Sequence, residues 1–185
     1  MMEIDAEALD SWVFDHFETF LKNRDSSLND RLHQPGVVFF LHLLGLDTNG
    51  HAYRPYSREY LHNIKHVDSG IQKIVEDLEN LFQDGKTAYI MTSDHGMSNL
   101  GAHGDGQQVN TECPFVAWGA GIRSPELVAP KQFVKEWSFE EQHRMQEWDL
   151  QSLSRRDIRQ ADIAPLMSVL IGKPIPVNSV GILPE

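Results

Sequence analysis

Cysteine is all but missing from this sequence. Cys113 stands alone, which excludes an internal disulfide framework and any zinc cluster built on several thiolates. Basic charge is scarce: 16 Lys and Arg face 27 Asp and Glu, for a formal charge of −11 with neutral histidines. A surface of that sign repels nucleic acid and anionic lipid, whose binding needs clustered cations. Long apolar runs are lacking too. The longest, Gly36 to Leu46, carries His42 at its centre and falls well short of the roughly 20 residues of a bilayer span. Met1-Met2-Glu3-Ile4-Asp5 has neither the basic stretch nor the apolar core of a secretory leader. No Asn-x-Ser/Thr sequon occurs, so glycosylation gives no address. What is present is a chain of 185 residues, 41% hydrophobic and 9% aromatic, enough for one domain with a sizeable core.

Hydrophobic spacing then sets the expected elements. Leu9, Trp12, Val13, Phe14, Phe17, Phe20 and Leu21 recur at three and four residues within 5–23 and predict an amphipathic helix. Asn23 to Pro35 is polar and breaks that pattern. Val37 to Leu44 is a continuous apolar run bounded by glycine, the pattern of a strand buried on both faces of a parallel sheet. Tyr60, Ile64, Val67, Ile71, Ile74, Val75, Leu78 and Phe82 predict a long helix closed by Asp84-Gly85. Strands are expected at Thr87–Thr92 and Phe115–Trp118, and a last helix at Gln160–Ile171 with Pro165 near its start. Residues 124–160 are polar, with irregular helical pieces expected. Strands and helices alternating in this way predict an α/β domain with a mostly parallel sheet flanked by helices.

Functional loops in such sheets leave the carboxyl ends of the strands. Asp47-Thr48-Asn49-Gly50-His51 follows the first expected strand. Ser93-Asp94-His95-Gly96-Met97 follows the second, and Gly101-Ala102-His103-Gly104 comes a few residues later. Each pair alone has an ordinary reading as a solvated loop. Together the loops at 47–51, 93–97 and 101–104 bring two aspartates and three histidines to one sheet edge, the ligand types zinc takes where thiolate is absent. Glycines beside the ligands allow sharp turns and close approach. Elsewhere, His42 is expected as a core histidine, His62 and His66 as helix surface, Arg155-Arg156 as a solvated pair and Cys113 as inert packing. Asp105 and Asn110 lie in the third loop.

The order Asp47-x-x-x-His51, Ser93-Asp94-His95-Gly96, Gly101-x-His103-Gly104 resembles the alkaline phosphatase superfamily, in particular its nucleotide pyrophosphatase and phosphodiesterase branch. The wording of Phe40–His51, Thr92–Met97, Trp118–Ile122, Gln160–Met167 and Asn178–Pro184 resembles, within it, the phosphoethanolamine transferases of GPI-anchor biosynthesis. That resemblance implies zinc-dependent transfer of phosphoethanolamine from phosphatidylethanolamine to the first mannose of a lipid-linked GPI precursor, in the lumen of the endoplasmic reticulum. It implies Asp47, His51 and His103 as ligands of one zinc, and Asp94 with His95 as ligands of a second. Two metals can hold the attacking and leaving oxygens of an in-line displacement.

The same resemblance implies a threonine nucleophile and one further aspartate from a segment ahead of Asp47. Thr19 falls inside a helical pattern, and Ser11, Ser26 and Ser27 follow no strand, so none of them takes that role. The expectation is a single partial catalytic domain over 1–185, the carboxyl-terminal half, with one complete zinc site and no catalytic nucleophile. Two other readings stay open: a non-catalytic zinc-binding fragment, and a superfamily phosphodiesterase, sulfatase or phosphomutase with another substrate.

Overall fold

A computed structural model describes residues 5–127, 145–154 and 156–184. Helix α1 (Glu7–Lys22) follows the predicted periodicity and buries Phe17 and Leu21. Helix α2 (Ser26–Leu32) lies where only a polar break was expected, and its N-cap Asp25 accepts the Leu28 N–H at 2.7 Å. Helix α3 (Gly45–Tyr53) takes up the segment expected as the first metal loop. Helix α4 (Arg58–Phe82) is the predicted long helix. Ser57 caps its start by accepting the Tyr60 N–H at 3.1 Å, and Gln83, at φ +48°, turns the chain out of its end. Strand β1 (Ala88–Thr92), the single turn α5 (Gln108–Thr111), strand β2 (Phe115–Gly119), a 3₁₀ turn at Gln160–Asp162 and helix α6 (Ile163–Leu170) complete the order. Arg155 and much of the polar stretch expected as irregular helix lie outside the described residues.

The core forms where α1 crosses α4. Phe17, Leu21, Ile74 and Leu78 are buried together, with Phe14, Phe39, Leu41, Leu81, Phe82 and Tyr89 packed around them. Gly70 lets the two helices approach, because a Cβ there would stand 2.2 Å from the Phe14 ring. Phe39 meets Phe17 edge-on at 5.3 Å, a favoured aromatic geometry.

The expected mostly parallel sheet is not found among the described residues. Their sheet is an antiparallel pair, β1 with β2, from Ala88 opposite Gly119 to Thr92 opposite Phe115. Val37–Leu44, expected as its fully buried strand, is not part of it. Period-two alternation survives: Phe39 and Leu41 face the core, whereas Val38, Phe40 and Leu44 are exposed, Phe40 by 84%. A strand is buried on both faces only when layers cover both, and here one face is covered. His42 shares the open face and stacks on Phe40, so it is a surface histidine and not the core residue expected.

Candidate metal centre

The first ligand pair is set by helical geometry. Asp47 and His51 stand four residues apart on α3, so both side chains leave the same face. Gly45, Asn49 and Gly50 are poor helix formers, and α3 is held by contacts from outside. The Gly45 N–H donates to Asp10 Oδ1 at 2.9 Å, Asn49 Nδ2 donates to Asn63 Oδ1 at 2.9 Å, and Gly50 lies under Met97.

The other two loops lock onto this helix. Gly101, at φ +72°, rests against the Gly50 carbonyl so closely that a Cβ would stand 2.5 Å from that oxygen. The loop closes on itself through Ser98 N–H to Ala102 O and Gly101 N–H to Ser98 O, at 2.9 and 2.8 Å. The loop after β1 is held by Gly96 N–H to Asn110 O at 2.9 Å and by Gln160 Nε2 to Asp94 O at 2.5 Å.

Four side chains converge. Asp47 Oδ1 lies 3.4 Å from His51 Nε2, 3.4 Å from His103 Nε2 and 3.9 Å from His95 Nε2, and the two nitrogens of His51 and His103 are 3.1 Å apart. Ligands about 2.0–2.1 Å from a tetrahedral ion stand about 3.3–3.4 Å from one another. The Asp47, His51 and His103 separations match that edge. His95 stacks on His103, with ring centroids 3.7 Å apart and 19° between planes.

Hydrogen bonding prepares two of these nitrogens. His51 Nδ1–H donates to the Gly101 carbonyl and His95 Nδ1–H to the Gly96 carbonyl, both at 2.8 Å. Each bond fixes the tautomer and leaves the Nε2 lone pair toward the group, as ligating histidines require. Asp47 Oδ1 is buried and receives no hydrogen bond. A buried oxygen left without a donor is costly, and a cation held between Asp47 and the His51 and His103 ring nitrogens would satisfy it. The donor set therefore fits zinc.

Asp94 is the one predicted site residue outside this cluster. Its side chain is 75% exposed, and its Oδ2 lies 3.8 Å from His95 Nε2. Burial, then the charge of Asp47, pushes the phenol of Tyr60 up, as expected for a ring packed behind α3. Burial, then Asp94, does the same to the Cys113 thiol, in keeping with inert packing. Thr19 lies exposed in α1. His62 and His66 are tied to α1, His62 Nδ1 to Glu7 at 2.6 Å and His66 Nε2 to Ser11 at 3.0 Å. The residues missed in the sequence are Asp10, Asn63 and Asn49. The signal for two of them was present, since Asp10 and Asn63 occupy core positions of otherwise apolar stripes.

The carboxylate and imidazoles gather on one helix and two glycine loops, and the chain belongs to the type I phosphodiesterase / nucleotide pyrophosphatase family, matching it over residues 3–116. It is also similar to GPI ethanolamine phosphate transferase 1 of Mus musculus, 52% identical over 183 residues, and of Homo sapiens, 50% identical over 183 residues. The protein of that name from Gibberella zeae is 49% identical over 186 residues. Each match covers 97% of this chain but 18–19% of the relative, so the chain spans about a fifth of their length. No solved structure matches.

Proposed function

We propose that this chain carries the metal-binding part of a zinc-dependent phosphoethanolamine transferase, which moves phosphoethanolamine from phosphatidylethanolamine to the first mannose of a lipid-linked GPI precursor in the endoplasmic reticulum lumen. The observation that carries the reading is the 3.1–3.4 Å spacing of Asp47 Oδ1, His51 Nε2 and His103 Nε2, with that buried Asp47 oxygen left without a donor. The identity of about half the residues with proteins named for that transfer supports the substrate class.

Asp47, His51 and His103 hold one zinc, and His95 with the exposed Asp94 supplies ligands toward a second. Bound zinc supplies Lewis acidity, which stabilises charge on the attacking and leaving oxygens of the phosphoryl group. The chain's own contribution is orientation. The Gly101 and Gly96 carbonyls fix the ring planes of His51 and His95, and Asp47 places one carboxylate oxygen between the imidazoles. A second reading concerns the chain by itself: the 185 residues bind metal without turning over substrate, because neither Thr19, exposed in α1, nor any other described residue has been placed as a nucleophile at the site.

A chimera tests the first reading, and the same transfer assay on the 185-residue chain tests the second, which turnover there would overturn. The matched segment of the mouse relative is replaced by this chain, and transfer of phosphoethanolamine to a mannose acceptor is measured. Transfer that is lost in His103→Ala supports the proposal. A chimera that binds zinc but instead cleaves a nucleotide diester, or transfers nothing, overturns it.

A further inference from the structure

Asp10 is fully buried in α1, with 0% of its surface exposed. Both carboxylate oxygens are engaged, each by a different helix. Oδ1 accepts the Gly45 N–H at 2.9 Å, and Oδ2 accepts Asn63 Nδ2 at 2.7 Å. Asn63, also 0% exposed, accepts Asn49 Nδ2 at 2.9 Å in turn. One chain of hydrogen bonds thus joins α1, α4 and two points of α3. Its last member, Asn49, stands between Asp47 and His51 in sequence.

Gly45 is the first residue of α3, and a carboxylate at a helix start satisfies a free N–H and complements the positive end of the helix dipole. The fit allows no slack, because a Cβ on Gly45 would lie 2.1 Å from Asp10 Oδ2. A helix of nine residues has little stability of its own in water. Its axial position is therefore set by Gly45 on Asp10, and its rotation by Asn49 on Asn63. Those two quantities decide where Asp47 and His51 point.

Resting on the metal-site reading above, we propose that Asp10 is a positioning residue for the metal centre: through Gly45, Asn63 and Asn49 it fixes α3, and with it Asp47 and His51, without touching the metal. Residues that orient metal ligands from behind typically cost 10–100-fold in metal affinity when removed.

The test uses the 185-residue chain with two readouts. The first is zinc affinity by chelator competition; the second is hydrogen exchange of backbone amides with the metal stripped. Asp10→Ala and Asn63→Ala are each expected to weaken zinc about 10–100-fold. Each should also lower protection of the Asn49, Gly50 and His51 amides at least about 10-fold relative to those of Ile74 and Leu78 in the α4 core. The double variant should lose little more than either single one, since both act through one network. Asp10→Asn should retain most of the affinity, because the Asn63 and Asn49 amides can turn over to match the new donor.

Protection that falls equally in α3 and α4, or zinc affinity that stays within about 3-fold of the parent in both alanine variants, overturns the proposal. If the parent chain binds no zinc, the metal-site reading fails. The exchange experiment then decides the positioning of α3 alone, and uniform loss of protection overturns that too.

Discussion

Gly96→Ala isolates how tightly the histidine loop is held against the rest of the site. Gly96 follows His95, and a Cβ there would stand 2.1 Å from the Val109 carbonyl oxygen and 3.3 Å from Asn110 Cα. Its φ is outside the left-handed region, so alanine meets no backbone strain and the cost is purely steric. Relief to an ordinary 3.4 Å contact asks the two backbones to part by about 1.3 Å, the difference between 3.4 and 2.1 Å. That displacement breaks the Gly96 N–H bond to Asn110 O, now 2.9 Å long. Overpacking costs about 1–3 kcal/mol and a lost hydrogen bond about 1 kcal/mol, so the variant should lose about 2–4 kcal/mol in urea unfolding. Gly104→Ala is the comparison. At φ +90° with nothing within 4 Å of the added Cβ, it bears only conformational strain of about 1–2 kcal/mol. A Gly96→Ala chain as stable as its parent, or more stable than Gly104→Ala, would refute the close approach of the loop to α5.

Three further outcomes are expected. Leu78→Ala should cost about 2–5 kcal/mol by urea unfolding because Leu78 is 5% exposed in the core, while Trp12→Ala, at a site 61% exposed, should stay within about 0.5 kcal/mol. Asp25→Ala should cost about 1 kcal/mol in the same assay by uncapping α2. The Ile182 N–H, and after it Arg159, hold the Asp162 carboxyl below the usual carboxylate range. With the folded pKa the lower one, this contribution is complete above the ordinary value of about 3.9 and is lost as pH falls through the folded value. Asp162→Asn should therefore flatten the acid limb of stability against pH, and protection of the Ile182 amide, its exchange corrected for the intrinsic rate, should lose its step there.

Elements with strong periodicity were legible in the sequence. The stripes of α1 and α4 and the β-rich runs at Thr87–Thr92 and Phe115–Trp118 became the helices and the paired strands. Helix α3 was not legible, because Gly45, Asn49 and Gly50 oppose helix formation and its stability comes from Asp10 and Asn63, distant in sequence. Helix α2 leaves no stripe in the sequence although Asp25 is a good cap, since its seven residues carry too few apolar positions. The apolar run at 37–44 has the composition of a strand buried on both faces. Apolar content alone does not say how many layers cover a strand, and Phe40 and Val38 are left open. At the site, residue type and order found Asp47, His51, His95 and His103, which the structure gathers. Sequence order could not reveal that the Asp94 side chain is 75% exposed, because it lies beyond the end of β1, where no strand or helix periodicity fixes direction.

The central claim is that Asp47, His51 and His103 form a zinc site. Its most direct test is zinc bound per chain after exhaustive dialysis of the 185-residue protein, with His103→Ala beside it. About one tightly held zinc in the parent, released in the variant, is the predicted result. A parent that emerges from dialysis without zinc, or a variant that retains as much as the parent, would contradict the site.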